Sequence, residues 1–152
     1  MIKIVFFGTP VFAVPFLKEL ILDSEIDVVC VVTQPDKPSG RGVHMTPPPV
    51  KILAEEKKIP VLQPSSLKTN QEIEQALREL DADLFVVVAY GKIIPKNLLE
   101  IPSKGCLNVH PSLLPQYRGP SPLQWAIAQG AAQTGVTIML LDQGTDTGPL
   151  LA

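Results

Sequence analysis

Apolar residues gather in short β-branched or aromatic runs at Ile2 to Phe7, Asp27 to Thr33 and Leu84 to Ala89. Between the first two, from Val11 to Leu22, they recur at helical intervals, which predicts strand, helix, strand. The runs are continuous rather than alternating, the pattern of strands covered on both faces in a parallel sheet. Val50 to Lys58 and Asn70 to Leu80 predict surface helices, the second opened by Thr69 or Asn70 with Glu72 and Glu74 in its first turn. Pro95 to Leu99 then predicts a short helical turn, Gly105 to His110 a strand, Pro122 to Gln129 a helix and Thr134 to Leu141 a further strand. Repeated β-α alternation with right-handed crossovers predicts an α/β fold. It is an open, mostly parallel, Rossmann-like three-layer sandwich with ligands at the C-terminal ends of its strands.

A length of 152 residues suits one domain, able to bury roughly 68–70% of its unfolded surface. The net charge of −2 removes the simplest argument for nucleic-acid binding, a strong overall positive charge, and leaves only local patches to consider. Cys30 and Cys106 each lie inside an apolar run and read as small buried residues rather than parts of a disulfide framework or a metal cluster. The first apolar run is broken at once by Gly8 and Pro10, too soon for a signal peptide or a membrane span, so a cytoplasmic location is expected. Proline, at 16 residues, clusters between the predicted elements, most densely from Gln34 to Pro49, a stretch expected to form a long functional or mobile loop. The last residues, Gly148 to Ala152, begin an apolar segment and stop; this predicts a fragment whose exposed apolar surface is masked by self-association.

Chemistry concentrates late. From Gly105 to Ala152 the only formally charged side chains are Arg118, Asp142 and Asp146, so polar groups there are either structural or catalytic. Asn108 and His110 are two apart on a predicted strand and share one face, with Val109 on the other. That pair is open between a satisfied structural histidine and a catalytic one; a carboxylate from Asp146 would fix the imidazole tautomer. Zinc is a weaker use of His110, because Cys106 on the same strand face lies roughly 13 Å away along it. A hydrolase built on Ser112 lacks the Gly-x-Ser-x-Gly elbow. Gly8-Thr9-Pro10 joins a strand to a helix without the glycines of a dinucleotide fingerprint, and reads either as a tight turn or as an anion site. Lys37, Arg41 and His44 give the proline-rich loop a modest basic character beside Asp36, and Arg118 is open between anion attraction and a structural ion pair.

Taken in order, Phe7-Gly8-Thr9-Pro10, Thr33-Gln34-Pro35-Asp36-Lys37-Pro38 with Gly40-Arg41-Gly42, Pro49-Val50-Lys51, Pro60 to Pro64, Ala89-Tyr90-Gly91, Asn108 to Pro115, Arg118-Gly119, and Gly135-Val136-Thr137 leading to Asp142 and Asp146-Thr147-Gly148 form a specific series. It resembles the N-terminal catalytic domain of the methionyl-tRNA formyltransferases, within the wider folate-dependent formyltransferase family, over the whole chain. The resemblance implies a partial catalytic domain at residues 1–152, with the rest of that domain and a C-terminal β-barrel absent. It implies Asn108, His110 and Asp146 as catalytic residues and 10-formyltetrahydrofolate as the donor, with no metal. Folate contacts fall to Tyr90, Gly91, Leu141, Asp142, Gln143, Gly144 and Thr145. Acceptor contacts, for methionyl initiator tRNA, fall to Gly8, Thr9, Pro10, Lys37, Arg41 and Arg118. Where the family commonly carries a basic pair after Gly-Arg-Gly, this chain has Val43 and His44. The alternatives are a non-catalytic folate- or anion-binding module, or a formyltransferase acting on another amine.

Overall fold

The structure, a computed structural model, describes residues 1–39 and 44–152. Strand β1 (Ile2–Gly8) leads through a 3-10 turn at Val11–Ala13 into α1 (Val14–Leu22), and β2 (Ile26–Val32) follows. A small hairpin of β3 (Lys37–Ser39) and β4 (His44–Thr46) precedes α2 (Pro49–Glu56), β5 (Val61–Leu62), α3 (Gln71–Glu79) and β6 (Leu84–Val88). The chain continues through α4 (Lys96–Leu99), β7 (Cys106–His110), α5 (Pro122–Ala128) and β8 (Thr137–Leu140). One sheet runs in the order β5-β2-β1-β6-β7-β8, parallel throughout except for β8, which is antiparallel to β7.

The continuous apolar runs are explained by two cores, one on each sheet face. Along β1, Val5 and Phe7 enter one cluster while Ile4 and Phe6 enter the other. The first cluster is closed by Leu77 of α3 and Leu98 of α4, the second by Leu17 of α1 and by Val50 and Ala54 of α2. With both faces covered, no position of β1 beyond its first residues can be polar without losing a stabilisation of about 1.5–3 kcal/mol per large side chain. Asn70, not Thr69, caps α3: its side chain accepts from the Ile73 N–H at 3.2 Å, satisfying a donor the helix start leaves free.

The stretch from Gln34 to Pro49 differs from the expected irregular loop, since β3 and β4 pair antiparallel within it, Lys37 opposite Thr46 and Ser39 opposite His44. Pro38 is compatible with pairing because each strand of a two-stranded ribbon has one unpaired edge, where a missing N–H costs nothing. The predicted acceptor contact Arg41 lies outside the described residues. The two-residue β5, between Pro60 and Pro64, was too short to give a periodic signal. β8 is shorter than the predicted Thr134 to Leu141 and runs against its neighbour, for a reason visible in the register. His110 pairs with Thr137, so the chain leaves β7 and enters β8 at the same end of the sheet.

Cys30 and Cys106 lie in the same core cluster, and burial pushes their thiols up to about 11 and about 12. Neither is expected to react with a thiol reagent at pH 8 under native conditions, whereas both should react once urea unfolds the chain. Rapid native labelling would show that the sheet opens locally far below its global stability.

Candidate active site

β7 sits between β6 and β8, and its side chains alternate between the two cores. Cys106 belongs to the cluster under α3 and α4 and Val109 to the opposite one, so Asn108 and His110 share the Cys106 face. The chain leaves β8 where Leu141 donates its N–H to the Cys106 carbonyl at 2.8 Å, and the loop that follows returns Asp146 to that face. The Asp146 carboxylate lies 3.4 Å from Asn108 Nδ2 and 3.5 Å from His110 Nδ1, and accepts the Gly119 N–H at 2.8 Å. The His110 and Asp146 side chains are 6% and 12% exposed, so little water reaches the contact between them. On its other side His110 Nε2 lies 2.9 Å from the Tyr117 carbonyl, which can only accept. The ring therefore lies between a carboxylate oxygen at 3.5 Å and a backbone carbonyl at 2.9 Å.

Three non-glycine residues around this site hold left-handed backbone: Tyr117 (φ 57°), Ser121 (φ 61°) and Asp146 (φ 52°). Such conformations cost of order 1–3 kcal/mol each and persist where the surroundings enforce them. For Asp146 the enforcing structure is a wound loop. Thr147 donates its hydroxyl to Asp142 at 2.8 Å, and the Gly144 N–H donates to the same carboxylate oxygen at 2.8 Å. A Cβ on Gly144 would collide with the Thr147 hydroxyl, and one on Gly148 with the Leu140 carbonyl. Among the residues expected at the folate, Asp142 thus spends its carboxylate within the loop, while Gln143, Gly144 and Thr145 are exposed and Leu141 is half-buried.

The Tyr90 ring is buried against Phe7, edge to face at 5.5 Å, and its hydroxyl has no hydrogen-bond partner among the described residues; burial pushes that phenol up to about 12. What Tyr90 presents at the strand end is its carbonyl, which accepts from Thr9 Oγ1 and from Gln34 Nε2, both at 2.9 Å. Gly91 is exposed beside it with φ +82°. Gly8 is buried, and a Cβ there would meet the Phe6 ring at 2.6 Å, which gives this glycine a packing task. Pro10 is exposed, and Arg118 is exposed without an ion pair among the described residues. Lys37 donates to Gln34 Oε1 at 2.8 Å. Thr9, Pro10, Gln34, Lys37 and Pro47 to Pro49 help line a mainly apolar cavity beside the hairpin.

Ser112 is fully buried and its hydroxyl donates to the Gln116 carbonyl at 2.6 Å, so it is committed to shaping the loop after β7 and not to the imidazole. Among the described residues, no group of three or more His, Cys, Asp or Glu side chains gathers as a metal site, and no helix is long and apolar enough to cross a membrane. Sequence reasoning missed the Tyr117 carbonyl and the Gly119 N–H, because backbone groups carry no residue signature. It also missed the cluster at the hairpin foot, where Asp36 accepts from Lys51 Nζ at 2.9 Å and from Gln63 Nε2 at 2.7 Å.

The Gln63 amide and then the Lys51 ammonium hold the Asp36 carboxyl below its usual range. A carboxyl lowered on folding stabilises the fold above its ordinary value of about 4 and loses that contribution as pH falls through the lowered value. Asp36→Asn should therefore lower the urea midpoint at pH 7 by more than it does near pH 3. A difference that stays constant between the two would remove the ionised carboxylate from the account.

A profile of the formyl transferase family matches residues 2–152. The methionyl-tRNA formyltransferase of Desulforamulus reducens is 59% identical over 149 residues, 98% of this chain and 46% of its own length. That of Microcystis aeruginosa is 56% identical over 149 residues, again 98% of this chain and 46% of its own length. The chain spans about half the length of the curated relatives it matches. Among solved structures, the phosphoribosylglycinamide formyltransferase of Bacillus halodurans superposes with a TM-score of 0.78 at 25% identity, over 99% of this chain and 77% of that one.

Proposed function

Since the chain belongs to the formyl transferase family, we propose that it is the donor-binding and catalytic part of an enzyme that moves a formyl group from 10-formyltetrahydrofolate to the α-amino group of methionyl initiator tRNA. The acceptor is inferred from relatives named methionyl-tRNA formyltransferase, among them one at 59% identity. The observation that most supports the chemistry is the Asp146 carboxylate lying within 3.5 Å of both the Asn108 amide and the His110 ring in a nearly dry setting.

In the proposed reaction the amine nitrogen attacks the formyl carbon, a carbon–nitrogen bond forms, and negative charge develops on the formyl oxygen. The bond to the donor nitrogen then breaks; the amine gives up a proton and the donor nitrogen gains one, so no oxidant or covalent enzyme adduct is required. Asn108 Nδ2 makes only a long 3.4 Å contact with Asp146, which leaves it able to donate to the developing oxyanion. His110 already directs Nε2 at an oxygen, the Tyr117 carbonyl. Exchange of that carbonyl for the oxyanion gives the ring its catalytic partner without reorienting it, while Asp146 lies against the opposite ring nitrogen and orients the imidazole. A ligand beside Gly91 would lie at the end of the sheet where β6 and β7 terminate, while the 141–145 loop starts at the other end of β7, beside Cys106, and winds back to Asp146.

In a protein extended to the length of its relatives, His110→Ala should lower kcat by about 10²–10⁴ and leave donor affinity within a few-fold. Equal losses in affinity and turnover would assign His110 to binding. Formylation of methionyl initiator tRNA by that extended protein, with residues 1–152 assayed alongside, tests the reaction itself. The shorter chain is expected to turn over far more slowly, because the acceptor must be oriented as well as bound. No formylmethionine from the extended protein would sink the assignment. Neutralising Lys37 and Arg41 there should weaken acceptor use and reduce the slope of log affinity against log salt by about one per lost phosphate contact, with donor affinity unchanged.

A further inference from the structure

Gln34 stands at the foot of the β3–β4 hairpin, and both ends of its side-chain amide are in use. Nε2 donates to the Tyr90 carbonyl at 2.9 Å, at the C-terminal end of β6, while Oε1 accepts from Lys37 Nζ at 2.8 Å. Its backbone carbonyl accepts from Gln63 Nε2 at 3.0 Å, and that nitrogen also donates to Asp36 at 2.7 Å. The Tyr90 carbonyl takes a second donor, the Thr9 hydroxyl, at 2.9 Å. One carbonyl with two lone pairs thus joins the β1–α1 turn to the foot of the hairpin.

Gly91 supplies an independent observation. A Cβ built on it would collide with the Gln34 amide nitrogen, and the only other heavy atom of the described residues within 4 Å is the amide carbon of the same side chain, at 3.7 Å. The space above Gly91 is therefore the seat of the Gln34 amide. The Asp36–Lys51–Gln63 cluster does a different job: it grips the backbone at residues 34 and 36, and among the described residues it has no hydrogen bond to the Lys37 ammonium or to the end of β6.

We propose that Gln34 is a positioning residue for the acceptor: seated over Gly91 against the Tyr90 carbonyl, it fixes the hairpin and the Lys37 ammonium relative to the cleft. This rests on the reading of the hairpin as the acceptor-facing element. Lys37 carries a long flexible stem, and holding its ammonium at Oε1 limits the rotamer freedom that would otherwise be lost on binding an acceptor phosphate.

The test compares Gln34→Leu, Gln34→Glu and Gly91→Ala, with Gly105→Ala as control. Gly105 has nearly the same backbone angle, φ +81°, but nothing closer than a Leu140 methyl at 3.6 Å, so it reports the effect of a strained glycine replacement alone. Hydrogen exchange at the amides of Lys37, Ser39, His44, Met45 and Thr46 should accelerate about tenfold in Gln34→Leu and Gly91→Ala, and stay unchanged in Gly105→Ala. Gln34→Glu keeps an oxygen for Lys37 but has no N–H for Tyr90, and should behave as Gln34→Leu. The double variant Gln34→Leu/Gly91→Ala should be no faster than Gln34→Leu, since both changes empty one seat. In the protein extended to its relatives' length, Gln34→Leu should raise the acceptor KM about tenfold, with kcat and donor KM within about twofold. Unchanged hairpin exchange in Gln34→Leu, additive effects in the double variant, or an acceptor KM that does not move in an active protein would each overturn the proposal. If the unaltered extended protein formylates nothing, the formyl-transfer reading falls, and the exchange measurements still decide whether Gln34 holds the hairpin.

Discussion

At the Asp146 carboxylate three separate stretches of chain meet. One oxygen takes the Gly119 N–H and faces the His110 ring, and the other faces the Asn108 amide. The loop after β7, the strand itself and the loop after β8 are therefore held in one arrangement by a single charge. A charge this little exposed is costly to desolvate unless several donors surround it. The nearby left-handed residues and the glycines that alone fit the 142–148 loop are the steric cost of bringing it there.

Most of the sheet was legible because parallel strands buried on two faces have a plain signature: unbroken β-branched and aromatic runs. β1, β2 and β6 all carry it, and Ile4 to Phe7 shows the two-sided burial directly. The direction of β8 was not legible, because four residues of strand look the same in either orientation; pairing of Thr137 with His110 is decided by where the connection returns. The hairpin at Lys37–Ser39 and His44–Thr46 was hidden by its own prolines, and β5 by its length.

The site divides in a similar way. Period-two alternation was enough to put Asn108 and His110 on one side of β7, but nothing in the spacing of residues places Asp146 beside them; family resemblance suggested that meeting, and 3.4 and 3.5 Å contacts describe it. The Tyr117 carbonyl and the Gly119 N–H belong to the backbone and leave no trace in residue identity. At Tyr90, which the resemblance places beside folate, the ring is core and the carbonyl is the group that reaches the strand end.

The alternation along β7 also sets how the site tolerates change in chain length. Cys106, Asn108 and His110 occupy one parity of the strand and Val109 the other. Loss or gain of a single residue within β7 would reverse that parity for everything beyond it. Val109 would then enter the cleft, and the amide and imidazole would be driven into the apolar layer beneath α1, where neither finds a partner. Substitution can grade the chemistry of this strand, whereas a residue gained or lost inverts it unless a bulge absorbs the change, as the register shift between β1 and β2 absorbs Val29.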